Sequence, residues 1–187
     1  MFLDFAFAIL ISAWASVFFN TPIVSIIYFA LVFSILPDLD FVIYKIFGIH
    51  QGKNYKHKDL FHYPLLYLPI GFSLLILTSK ILAIIFLIVS ILHFMHDSIT
   101  YGRGVKWLFP FSKNSFAFIY LYSRVVKIGL WQWVFIFNDK NLDKWDEEHG
   151  DENWIKNIYY NLHPIAIVEF GVFFVSLLLL YLMKQIK

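Results

Sequence analysis

The stretch ILAIIFLIVSILHFMHD, residues 81–97, runs apolar almost to its end and then closes on His93, His96 and Asp97. The apolar run proper, Ile81–Met95, is shorter than the ~20 residues a lipid-exposed span needs. The shortfall is explained if the helix continues into polar residues that face a protein cavity, as polar groups at membrane depth usually do. The stretch is therefore read as a membrane helix whose last turn carries chemistry. Phe5–Phe19, Ile23–Leu36, Tyr63–Ser79 and Ile165–Met183 have the same character, and Phe116–Phe137 is a more ambiguous sixth run. The expected fold is all-α: a polytopic membrane bundle of about five or six transmembrane helices, with its polar residues gathered at one membrane face.

Composition supports this reading. Of 187 residues, 60% are hydrophobic and 21% aromatic, and the mean hydropathy is +0.69, against an apolar share of roughly 45–50% in soluble domains. The net charge of +2 is too small, and its cations too scattered, to form a nucleic-acid footprint, so no nucleic acid is expected as a partner. The expected partners are membrane lipids and a small-molecule or lipid substrate. With no cysteine, any metal must be held by His, Asp or Glu. The first apolar run follows Met1-Phe2-Leu3-Asp4 without a basic leader or a small-residue cleavage site, so it is expected to stay as a helix.

The connections fix which ends meet. Asn20-Thr21-Pro22 joins the first two runs as a tight hairpin, with Thr21 expected to cap the second helix and Pro22 at its first position. Thr78-Ser79-Lys80 joins the third and fourth runs, leaving room only for an antiparallel pair. The face bearing Pro37–His62 and Ser98–Ser115 then holds Lys45, Lys53, Lys56, Lys58, Arg103, Lys106 and Lys113, against Lys80 alone on the other. That imbalance predicts a cytoplasmic location for the polar face. Phe116–Phe137 carries Arg124 and Lys127 near its middle, each costing ~2.5–3.5 kcal/mol at a bilayer centre, which makes its crossing doubtful.

The same connections return seven metal-competent side chains to that face: Asp38, Asp40, His57, His62, His93, His96 and Asp97. His93 and Asp97 are four apart on one helical face, a spacing that lets both reach one ion, and Thr100 continues that line. Asp38 and Asp40 flank Leu39 after Pro37; both side chains share a direction if the turn is extended and diverge if it is helical, and an extended turn is expected. His57 and His62 are five apart and would not align on a helix, so His57 is placed in the loop and His62 in the first turn of the helix that follows. Singly, each residue also fits a capping or interfacial role. Together they are read as a metal site, since one chain face gathers most of the seven histidines present.

These stretches resemble the YdjM-like family of membrane-bound, metal-dependent hydrolases of the inner membrane, a small bundle of membrane helices. The family pattern of Leu-Pro-Asp-x-Asp, His-Arg-Gly-x-Thr-His-Ser, His-x-x-x-Asp-x-x-Thr-x-x-Gly and Trp-Pro-Phe-Ser is matched by LPDLD (36–40), HKDLFHY (57–63), HFMHDSITYGRG (93–104) and LFPFS (108–112). The resemblance is carried by about residues 1–115, read as the metal-site membrane domain, with 116–187 as a C-terminal extension packed on the same bundle. It implies a bound divalent ion, zinc by preference with manganese or iron compatible, and the metal set Asp38, Asp40, His57, His62, His93 and Asp97. Asp40, His62 and Asp97 are the expected catalytic residues among them. His96 has no counterpart in the pattern and is placed behind the ligands. The family is distantly similar to zinc-dependent phospholipases C and single-strand nucleases, which suggests metal-activated water attacking a phosphoester or lipid-linked substrate. Lys58 stands where the family has Arg, losing its bidentate fork, and Phe61 and Tyr63 stand for Thr and Ser, so substrate contacts are expected to differ. Two alternatives stay open from the residues alone: an ion or proton-relay transport protein, and a non-catalytic membrane scaffold.

Past residue 115 the sequence says less. Asn138–Leu162 gathers seven acids against Lys140, Lys144 and Lys156, and is read as a solvated acidic loop in which His149 is a candidate extra ligand or lid residue. Trp131, Trp133, Trp145 and Trp154 bracket it as an interfacial belt would.

Overall fold

The computed structural model of the chain describes residues 2–46, 61–100, 104–118, 134–138, 140, 153 and 156–185. Among them are six α-helices, α1 (Phe2–Phe18), α2 (Val24–Ile35), α3 (Leu39–Ile46), α4 (Pro64–Ile76), α5 (Lys80–Thr100) and α6 (Pro164–Gln185). A short two-stranded ribbon, β1 (Ser115–Phe118) and β2 (Val134–Phe137), lies between α5 and α6 in sequence. The described segments fall into two units, one of Met1–Leu36, Pro69–His93 and Asn153–Lys187, the other of Pro37–Leu68 and Phe94–Glu152.

In the first unit α1 packs against both α2 and α6. Besides Asp4 and Ile9, the residues α1 buries are small: Ala6, Ala8, Ser12, Ala15 and Ser16. Small side chains let the helix backbones approach closely, and dispersion across such a seam helps to hold apolar helices together. Ser12 Oγ donates to the Ala8 carbonyl at 2.6 Å and so satisfies its own hydroxyl. α4 and α5 meet at Gly71, where a Cβ would collide with the Phe86 ring, which itself packs edge-on against Phe33 of α2.

α6 shows an inside-out distribution. Its 22 residues extend roughly 33 Å at ~1.5 Å per residue, enough for a hydrocarbon core of ~30 Å. It buries Ala166, Glu169 and Ser176 and exposes Val168, Phe174, Val175, Leu178 and Tyr181. Small and polar residues point inward and large apolar ones outward, the pattern lipid requires. By length and apolarity α5 and α6 qualify as membrane spans, while α1, α2 and α4 are shorter apolar helices.

One open question is decided and two expectations are corrected. Phe116–Phe137 is not one helix: its ends pair antiparallel, Ser115 with Phe137 and Phe118 with Val134. Alternation puts Ser115 and Ala117 inward on β1, and VFIF in β2 is made of β-branched and aromatic residues that suit strands. The fold is thus mostly helical instead of all-α. Thr21 does not cap α2; its hydroxyl donates to the Phe19 carbonyl, and Ile23 takes the cap position without a side-chain bond. The turn is made instead by Asn20 at φ 47, a left-handed conformation that Asn tolerates better than most residues. Finally, Asp38 and Asp40 do not share an extended turn, because the helix α3 already begins at Leu39.

Candidate metal centre

Each component of the site is placed by a helix end. Pro37 ends the apolar run and Asp38 occupies the turn before α3, whereas Asp40 lies in the first turn of that helix. The two carboxylates therefore diverge. His62 stands just ahead of α4 and not in its first turn, as was expected; Pro64 opens the helix, and the residue before a proline is pushed out of the helical region. Asp97 comes from the last turns of α5, and His93 from the turn before it on the same unbroken helix.

His62 is the hub. It is fully buried, with Nδ1 2.7 Å from Asp40 Oδ2 and Nε2 3.1 Å from Asp97 Oδ2. Asp38 Oδ1 lies 3.9 Å from the same Nε2 and is 36% exposed, the most open member of the group. Asp38, His62, His93 and Asp97 each offer one ligand atom, and these atoms all lie within 4.8 Å of one another. Two carboxylates and two imidazoles form a donor set of the kind that holds zinc, and also manganese or iron, so the residues fit a divalent ion.

Electrostatics explain why the cluster wants a cation. Burial by itself lowers the pKa of His62, but its hydrogen bonds to Asp40 and then Asp97, with the charges of both, outweigh that and raise it from 6.5 to about 9. A divalent ion held here would have to displace the proton on Nε2, which lies between His62 and Asp97. Asp40 Oδ1, buried, has no hydrogen-bond partner among the described residues.

Aromatic walls enclose His62 within its own unit. Phe94 meets it edge-on at 6.0 Å between ring centres and is itself met by Tyr67 and Trp107. Trp107 is pinned by Nε1–H donating to Ser98 Oγ at 2.8 Å, and Ser98 in turn donates to the Phe94 carbonyl. Gly104, at φ 64, brings the chain against Phe116, where any Cβ would strike the carbonyl. Tyr63 stacks on Phe109 at 4.1 Å, so this departure from the family pattern packs against the LFPFS stretch.

Of the residues anticipated from sequence, Asp38, His62, His93 and Asp97 are brought together. Asp40 sits behind His62 on its Nδ1 side, and His96 is buried on α5 without joining the four. His57, Lys58, Arg124, Lys127, His149 and all four tryptophans of the expected belt lie outside the described residues. One neighbour was missed: Asp4, in the first turn of α1, whose Oδ1 lies 3.3 Å from His93 Nδ1 with both side chains buried. An acid opening an otherwise apolar helix was the available signal.

A helical protein with long apolar helices whose large side chains face outward, and with a buried His/Asp group suited to a divalent ion, belongs to the class of integral membrane proteins with a possible metal centre. A comparison with family models gives the particular family: the YdjM inner membrane protein model matches residues 4–186, and the chain belongs to that family. The match continues well past residue 115, where the recognisable motifs stop. No curated protein and no solved structure matches the chain.

Proposed function

We propose that the chain is a membrane-bound, metal-dependent hydrolase acting on a phosphoester or lipid-linked substrate, with its site facing the cytoplasm. The observation that carries the reading is the convergence of Asp38, His62, His93 and Asp97 on one point, with ligand atoms within 4.8 Å of one another. These four would hold the ion, zinc by preference. When bound, such an ion lowers the pKa of water toward ~7 and offsets charge growing on a substrate oxygen.

The remaining work falls to the chain. Asp40, at 2.7 Å, accepts the Nδ1 proton of His62 and fixes which nitrogen presents its lone pair. Phe94, Tyr67 and Trp107 keep bulk water from the buried side of His62, so the charge there is weakly screened. A carboxylate of the set that the ion does not engage would accept a proton from the attacking water. The bundle reading adds α1, α2 and α4 as further membrane helices, supported by the outward-facing Val17, Phe18, Tyr28, Val32, Leu74 and Leu77. The cytoplasmic orientation is supported by the cation imbalance of the sequence.

The test is to purify the full chain in detergent and measure bound divalent metal and hydrolysis of phosphodiester and phospholipid substrates. Near-stoichiometric metal, lost in His62→Ala together with hydrolysis, is expected. Protein that stays metal-free after exposure to zinc, manganese and iron would refute the proposal.

A further inference from the structure

We propose that Asp4 is a positioning residue for His93, holding its ring so that Nε2 is the nitrogen available to a divalent cation. The proposal rests on the metal-site reading above and extends it to a helix that reading does not use.

Asp4 is 2% exposed and sits between Leu3 and Phe5 in a helix that is otherwise apolar over its first three turns. An acid in the first turn gains from the helix dipole whether or not it is buried, so the dipole accounts for its place in the sequence and not for its burial. Withdrawing a carboxylate from water is costly without a partner of matching charge or hydrogen bonding. The structure supplies one: Oδ1 lies 3.3 Å from Nδ1 of His93, whose side chain is 1% exposed.

The other histidine of the group shows a tighter version of this arrangement, a hydrogen bond of 2.7 Å where Asp4 and His93 approach at ion-pair distance. His62 has a buried carboxylate, Asp40, on its Nδ1 side and turns Nε2 toward Asp97 and Asp38. A ring whose Nδ1–H is given to a carboxylate has its lone pair on Nε2, and imidazoles that ligate metals are usually anchored through their other nitrogen in this manner. With Nδ1 facing Asp4, the ring's other nitrogen, Nε2, is the one this reading assigns to the group. Asp40 accepts the Nδ1–H of His62 and Asp4 lies at ion-pair distance from Nδ1 of His93, while Asp38 and Asp97 would offset the two charges of a divalent ion.

The experiment titrates detergent-solubilised full-length protein with zinc against a chelating dye. Asp4→Asn, which preserves volume, is expected to lose ~10–100-fold in affinity, and His93→Ala to lose more. Because Asp4 acts through His93, the double variant should bind no more weakly than His93→Ala alone; a role in packing elsewhere would make the two losses additive. Unchanged affinity in Asp4→Asn, or additivity, overturns the inference while the loss in His93→Ala leaves the metal site standing. Wild-type protein that binds no zinc overturns both. If Asp4→Asn does not fold, cadmium-113 coupling in histidine-labelled wild-type protein decides: coupling to Nε2 of His93 is expected, and coupling to Nδ1 overturns the inference.

Discussion

Raising pH should tighten metal binding while it weakens the metal-free fold, because both depend on the proton of His62. Its pKa is raised from 6.5 to about 9, burial opposing and the hydrogen bonds to Asp40 and Asp97 prevailing. A group raised in the folded state contributes its stability fully below the unfolded value, and that contribution is lost as pH climbs through the folded one. At ~1.36 kcal/mol per pKa unit, the span from 6.5 to about 9 amounts to something on the order of 3 kcal/mol in the metal-free protein. Its thermal unfolding midpoint in detergent should therefore fall between pH 6.5 and 9. A metal ion must displace that proton, so zinc affinity at pH 7 should be roughly 100-fold below its plateau, rising about tenfold per unit toward pH 9. Calorimetric titration in buffers of different ionisation enthalpy should count close to one proton released from His62 at pH 7. Asp40→Asn removes the largest raising contribution, so the rise in affinity should begin at lower pH. Affinity independent of pH between 7 and 9, with no proton released, would refute the assignment of His62 Nε2 as the shared seat of proton and metal.

Two further outcomes test other parts of the structure. Asp97→Ala, removing a carboxylate 3.1 Å from His62 Nε2, should abolish hydrolysis and most metal retention, whereas His96→Ala should retain the metal and lose activity by about tenfold at most; metal analysis and phosphodiester turnover on equally helical samples check both. Lys113→Cys, at an exposed position of this cysteine-free chain, should be labelled by an impermeant thiol reagent only after the membrane is opened; labelling of intact cells would place the site on the outer face.

The apolar runs of the sequence become α1, α2, α4, α5 and α6 to within a few residues at each end, because a long unbroken apolar run satisfies its backbone most readily as a helix. The convergence of Asp38, His62, His93 and Asp97 was legible too, since two tight hairpins leave their ends nowhere else to go. What the spacing could not yield was which nitrogen each carboxylate would meet. Asp38 and Asp40 are separated by one residue, yet a helix starting at Leu39 sends one to Nε2 of His62 and the other to Nδ1. The ribbon of β1 and β2 was hidden for a different reason: an aromatic run such as VFIF satisfies strand and apolar helix alike, and only Arg124 and Lys127 in the sequence between argued against a span.

Asp4 and Glu169 carry the same lesson further. Both are buried acids on otherwise apolar helices. The cost of burial dictates that each needs a partner, but the partner is set by packing: Tyr159, ten residues from Glu169, donates its hydroxyl at 3.1 Å, while Asp4 meets a histidine on α5, far along the chain. A charge in an apolar helix thus states a demand that the sequence makes visible and only the fold answers, and at Asp4 the answer is His93, one of the four residues whose ligand atoms gather.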